Sequence, residues 1–229
     1  MVVVNVSDDV YRYGLGRRLW LAGANPMDML PTEWLQHLSP AERAEGWQVL
    51  FERLNSQEYY TVYPPVLQGV FAFAAWVSRG DVFGAVLALK GVILVSEVGS
   101  IWLLTKIAKR LNMGRKAVLV YALNPLVIIE LTGNCHFEAL MVFLFLGAFW
   151  LLMKWGPVPA APVLALAIGT KLLPVLVFPF LVRRLGWGRT LLFGLLTAAC
   201  CVGVFCTFSW GGLGKWSVES GRVERWAGW

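Results

Sequence analysis

"VFGAVLALKGVILVSEVGSIWLLTKIAKRLNMGRK", residues 82–116, decides how the rest of the chain is read. Residues 82–105 are apolar apart from Lys90 and Glu97 and a few small polar residues. A hydrocarbon core about 30 Å thick is crossed by about 20 helical residues, so this run is long enough to span one. The densest basic cluster of the chain, "KIAKRLNMGRK" (106–116), follows directly. Lysine and arginine accumulate at the cytoplasmic end of a span, which places 106–116 inside. Lys90 and Glu97 share a helix face but sit too far apart along the axis to pair, at about 1.5 Å of rise per residue. Each is expected to hold a neighbouring helix, with a role in the site as the alternative.

The composition of all 229 residues agrees: 58% are hydrophobic and 15% charged, and the mean hydropathy is +0.62. Soluble domains run nearer half apolar and a quarter charged. The pI near 9.3 does not indicate nucleic acid, because the cations flank the apolar runs and read as topology signals. Of the four cysteines, Cys200, Cys201 and Cys206 lie in one apolar run, and with Cys135 they show no metal or redox spacing. The first apolar stretch, "MVVVNV", is too short for a secretory signal.

Outward from the deciding stretch, residues 117–133 and 137–153 are expected to cross out and back, with Lys154 inside. Arg183, Arg184 and Arg189 also belong inside. The legs between, 156–169 and 172–182, are short, as is the helix after Pro65, so these are expected to be short or re-entrant helices meeting near the outer face. Such breaks are tolerated only where protein or a wet cavity receives them. Residues 190–209 cross outward again. Residues 1–63 form the one large polar region. Within it "SPAERAEGWQVLFERL" reads as a helix from Ser39, capped by Ser39 and Glu42, with Trp47, Leu50, Phe51 and Leu54 on one face. That face is expected to lie on the membrane surface. The fold class is therefore all-α, a polytopic transmembrane helix bundle. Its organisation is expected to be an extracytoplasmic loop over 1–63, a membrane-embedded module over 64–212 and an unassigned tail over 213–229.

Four polar segments fall on the outer side in this topology: Asp8–Asp9, the Tyr63–Pro65 edge, "GNCHFE" (133–138) and Lys171. Of two adjacent aspartates, one can face a reacting hydroxyl as general base while the other orients it or holds a cation. "SDD" also serves as a helix cap. Arg12, one turn on, can offer paired donors to a phosphate, or snorkel to headgroups, the reading that suits Arg17 and Arg18 better. Glu130, Asn134, His136 and Glu138 surround a break at Gly133. They form either a hydrogen-bonded helix-end cluster or, if His136 and Glu138 join an aspartate, a divalent-cation site. Lys171, flanked by apolar residues, needs an anionic partner or a wet cavity, and a phosphate would supply that partner.

Taken in order, "SDDVYRY…LAGANP", "LNSQEYYTVYPPVLQ", "YALNPLVIIELTGNCHFEAL" and "AIGTKLLPVLVFPFLVRR" resemble the GT-C superfamily of membrane glycosyltransferases. They resemble most the bacterial polyprenyl-phosphate-mannose-dependent mannosyltransferases, over roughly residues 5 to 185. The resemblance implies a GT-C-type bundle in the bacterial cytoplasmic membrane, with an active site at the extracytoplasmic face. It also implies a sugar donor carried on polyprenyl phosphate and a glycan or lipid acceptor, with membrane lipid as surroundings and no nucleic-acid partner. The catalytic base falls on Asp8 or Asp9 with Tyr11 and Arg12 behind. Tyr63, Pro64, Pro65 and Gln68 match a cavity-wall block, and Asn124, Pro125, Glu130, His136 and Glu138 match a second, with Asn134 where the usual Gly-His approach is altered. Lys171 and Pro174 match a basic residue and proline near the lipid phosphate. The resemblance names no fixed cofactor and leaves a divalent cation open. "GLGR" (14–17) lacks the acidic residue relatives carry there. Relatives also extend beyond both ends, so the chain is expected to be a fragment, inactive on its own in one reading. A transporter or flippase of lipid-linked sugar is the alternative from a different class, since it too wants broken helices and buried charge.

Overall fold

The computed structural model describes residues 13–16, 19, 30–43, 51–52, 54, 57–61, 63–78, 82–114, 116–134 and 136–209. Among them there is no strand. Helix α1 (Pro31–His37) starts on a proline, whose missing N–H costs a helix start nothing, and Glu33 accepts the Leu30 N–H at 3.0 Å. Trp34 and Leu38 turn inward onto Leu15, Leu19 and Leu54, with Phe51 and Leu35 packed alongside. The helix expected from Ser39 does begin at Pro40, where the Arg43 N–H donates to the Ser39 carbonyl at 3.0 Å. Trp47 and Leu50 lie outside the described residues. Phe51 and Leu54 face this small protein core, which corrects the expectation that they meet headgroups: burial against neighbouring leucines takes the same apolar face.

Helix α2 (Pro65–Ser78) leads to α3 (Val82–Arg110), the long run predicted as a span. It continues past Thr105 into the basic cluster as far as Arg110, because lysine and arginine are good helix formers with apolar stems. Lys106 lies over the Trp102 ring, 5.3 Å from its centroid. Residues 117–133 do not make one crossing helix. They divide into α4 (Lys116–Ala122) and a π-helix (Val127–Gly133). The break is at Asn124–Pro125: proline has no N–H to continue the ladder, and Asn124 Oδ1 accepts the Leu126 N–H at 3.0 Å.

Helix α5 (Glu138–Trp155) turns at Gly156 into α6 (Pro157–Thr170). A short 3-10 helix (Leu173–Val177) and α7 (Phe178–Leu185) return the chain, and Gly186 turns it into α8 (Trp187–Ser209). Both glycines sit at positive φ, 92° and 77°, where a side chain would be strained. The short legs expected between Lys154 and Arg183 are thus a helical hairpin. Leu181 of α7 is buried with Ala160, Ala161 and Leu164 of α6 and Phe193 of α8. Helix α5 packs between α3 and α6, and α6 in turn contacts α8 and α2. At Gly99 a Cβ would lie 2.4 Å from the Phe143 ring, so α3 and α5 meet there only through glycine.

Among the described residues, three helices are long and apolar enough to cross a membrane: Phe83–Arg110 of α3, Glu138–Trp155 of α5 and Trp187–Thr207 of α8. Phe83, Leu87, Leu94, Val95, Val98 and Trp102 of α3 are exposed. An apolar outer surface of this extent is the surface of a protein solvated by lipid. Lys90 is half-buried with no ion pair among the described residues, whereas Glu97 is buried and accepts the Tyr121 phenol at 3.2 Å through both oxygens. Glu97 therefore ties α3 to α4.

Candidate functional site

All four motif blocks have described residues that meet: Tyr13 touches Tyr63 and Phe137, and Lys171 bonds Glu138. Tyr13 is buried against the rings of Tyr63, Phe71 and Phe137, with centroids 5.2, 4.8 and 5.3 Å away. Such edge-to-face and stacked pairs hold fixed relative orientations. Phe137 stands between His136 and Glu138, so this hub joins the N-terminal block, the Tyr63 block and the Gly133 break. The Lys171 block closes in through α6. A Cβ at Gly169 would lie 2.8 Å from the Val66 side chain, so only glycine lets α6 approach the start of α2. Asp8, Asp9, Tyr11 and Arg12 lie outside the described residues.

Pro64 and Pro65 set the entry to α2: the Pro64 carbonyl accepts the Leu67 and Gln68 N–H groups at 3.0 and 3.3 Å, and Pro65 is buried at the first helical position. Gln68, 1% exposed, donates Nε2 to Thr61 Oγ1 (2.9 Å) and to the Tyr63 carbonyl (3.3 Å). Its Oε1 is buried with no hydrogen-bond partner among the described residues and faces Gly16, where a Cβ would stand 3.6 Å away. Gln68 thus shapes the wall between the first two blocks. Asn124 is exposed and spends its side-chain oxygen on the turn before the π-helix, so its observed contact is structural.

The polar centre lies at the start of α5. Lys171, the extended residue that ends α6 (φ −158°, ψ 139°), donates from Nζ to Glu138 Oε1. Glu138 occupies the first turn of α5, where the helix dipole favours a carboxylate. Its second oxygen is 3.8 Å from His136 Nδ1, while His136 Nε2 is 3.6 Å from Glu130 Oε2. Both distances exceed a hydrogen bond, so the imidazole stands between two carboxylates without being fixed by either. Glu130 is held instead by Asn134 Nδ2 at 3.1 Å. A π-helix places these residues: its wider turn re-aims a side chain locally, and such turns recur at functional sites. Among the described residues no group of three or more His, Cys, Asp or Glu side chains is arranged to hold a metal ion.

Two elements of this arrangement escaped sequence reasoning. The aromatic hub of Tyr13, Phe71 and Phe137 has no local signature, although Phe137 does sit inside the "CHFE" motif. The Lys171–Glu138 pair spans 33 residues; the only sequence signal was that a lysine in apolar surroundings needs an anion.

Comparison with known proteins adds one result. The family described as alpha-(1->6)-mannopyranosyltransferase, N-terminal domain, matches residues 5–186. No curated protein and no solved structure matches the chain. The matched stretch contains all four motif blocks and ends as α8 is about to begin. With a match over most of the chain, and with apolar helices of spanning length around a polar centre, the chain is a membrane protein that belongs to the alpha-(1->6)-mannopyranosyltransferase family.

Proposed function

We propose that the chain transfers mannose from a polyprenyl-phosphate donor to a glycan or lipid acceptor at the extracytoplasmic face of a bacterial cytoplasmic membrane, within a GT-C-type bundle. Residues 1–63 supply the extracytoplasmic loop and 64–212 the membrane-embedded module. The observation that carries this reading is the convergence of the motif blocks: Tyr63 on Phe137's hub, Val66 on Gly169, and Lys171 on Glu138. Asp8 and Asp9 stand five and four residues before Tyr13, which is anchored in that hub.

In the reaction the acceptor oxygen bonds to the anomeric carbon as the bond from that carbon to the phosphate oxygen breaks. The electron pair of the broken bond stays on phosphate, and the acceptor proton passes to Asp8 or Asp9. One displacement inverts the configuration. Arg12 and Lys171 face the phosphate, and Tyr11, Tyr63, Gln68, Glu130, Asn134 and His136 line the sugar cavity. Charge building on the leaving phosphate in a partly dry site is where fixed cations contribute most.

The test is transfer of labelled mannose from polyprenyl-phosphate mannose by the full chain reconstituted in lipid. Asp8→Asn or Asp9→Asn should lower the rate by about 10²- to 10⁴-fold, the usual contribution of a general base. Full activity in both variants would remove the aspartates from this role. Translocation of the labelled lipid with no covalent product would favour a transporter instead.

A further inference from the structure

The chain has no aspartate or glutamate between residues 98 and 129, and none between 139 and 209. Both stretches carry cations, which gather away from the polar centre. Helix α5 has 18 residues and is about 27 Å long, so Glu138 at its start and Lys154 near its end stand on opposite sides of a bilayer core. Two cations at the far end are held by protein contacts. Arg110, the last residue of α3, donates Nη2 to the Met153 carbonyl at 2.8 Å. Lys154, the next residue along α5, lies over the Trp155 ring, 4.3 Å from its centroid. Arg183 and Arg184 of α7 come to the same end, because Leu185 packs in one cluster with Leu151 and Leu152 of α5. All four cations are exposed.

We propose that the ends of α3 and α5, with α7 beside them, seat the headgroup of an anionic phospholipid in the leaflet opposite the polar centre. The first argument is charge: Arg110 and Lys154 are fixed side by side, and neither has an acidic partner among the described residues. The planar fork of a guanidinium matches two phosphate oxygens, and only one Arg110 nitrogen is engaged by Met153. The second argument is depth. Trp102, Trp155 and Trp187 are 55%, 62% and 80% exposed, and the first two carry Lys106 and Lys154 over their rings. Tryptophan belongs at headgroup level, so an ammonium resting on its ring is kept at that level instead of reaching into water. The exposed indoles also offer acyl chains a wall, for which a soluble anion has no use. This seat does not depend on the polyprenyl-phosphate reading.

The test measures binding of labelled phosphatidylglycerol and phosphatidylcholine, with matched acyl chains, to the full chain in nonionic-detergent micelles. Each cation near an anionic headgroup is worth about fivefold in affinity, so the wild type should prefer phosphatidylglycerol by about tenfold or more. Arg110→Gln with Lys154→Gln should shrink the preference to about twofold or less. Arg110→Lys with Lys154→Arg keeps both charges and should keep most of it. Lys116→Gln with Arg189→Gln removes the same charge from other helix starts and should leave the preference standing. Equal binding of the two lipids by the wild type overturns the proposal. So does an equal loss in both charge-removing pairs, which would mean diffuse attraction without a seat. Displacement of phosphatidylglycerol by glycerol phosphate at matched concentration would overturn the lipid as occupant and leave a simple anion site.

Discussion

Where α5 meets α6, the chain presents Arg110, Lys154 and Trp155, and the return through α7 presents Arg183 and Arg184, with Arg189 opening α8. All are exposed, with no acidic partner among the described residues. At the opposite end of α5 a single lysine is paired, beside a histidine and a second carboxylate. The first group satisfies its surroundings by simple means: Arg110 Nη2 donates to the Met153 carbonyl at 2.8 Å near the end of α5, and Lys154 lies 4.3 Å from the Trp155 ring centroid. Cations at helix C-termini meet orphan carbonyls and the negative end of the dipole. The second group depends on chain breaks, at the π-helix and at the extended Lys171, which bring distant side chains together. One end of α5 carries exposed cations alone; the other gathers charges of both signs at broken helices.

That contrast can be broken most severely at Lys171. Lys171→Ala should reduce mannosyl transfer by about 10²- to 10³-fold, the scale seen when a transition-state donor is removed. Arg184→Ala should leave the rate unchanged in the same assay. Equal losses would erase the distinction between the two ends. Next comes the close approach that delivers Lys171. Gly169→Val should cost about 1–3 kcal/mol of stability, as overpacking does, read as a lowered melting temperature in detergent. Unaltered melting would mean that α6 and α2 can separate without loss.

A smaller effect is expected at the tie between α3 and α4. Tyr121→Phe should cost about 0.6–1.7 kcal/mol, the range for interhelical hydrogen bonds in membranes. The double variant with Glu97→Leu should recover part of it, because removing both partners leaves no orphaned polar group. The smallest effect concerns the basic end. Arg183→Gln with Arg184→Gln should leave melting and transfer as they were while changing the inserted orientation, since orientation follows the Lys/Arg bias of the loops. Protease accessibility from each side of sealed vesicles measures it.

Much of the fold was legible because its causes are local. The apolar runs gave α3, α5 and α8, and Pro65 marked the start of α2; Gly156, Pro157 and Gly186 are local stop and start signals of the same kind that the reading did not use. The division of 117–133 into α4 and a π-helix was missed: the periodicity of "VLVYALNPLVIIELTG" suits a span, and only Asn124–Pro125 signals the break. Helix α1 was missed as well, although Pro31 and Glu33 are a helix start. Of the site, the sequence singled out Glu130, Asn134, His136, Glu138 and Lys171 as polar residues in costly places. It could not say which met which. Phosphate was the expected partner of Lys171, and the structure adds Glu138 as the partner it holds without substrate.

Sequence alone determined the class of solvent and where the long apolar helices lie. Those follow from hydrogen bonds closed within four or five residues and from apolar area measured along one segment. Tertiary structure decided the partners. Glu138 and Lys171 are 33 residues apart and meet because α5 and α6 fold back at Gly156 and run antiparallel. Tyr13, Tyr63 and Phe137 meet because α2 packs its Phe71 between them. No local rule fixes such a pairing: it is set by how whole helix faces fill space against one another, at contacts as close as Gly169 on Val66.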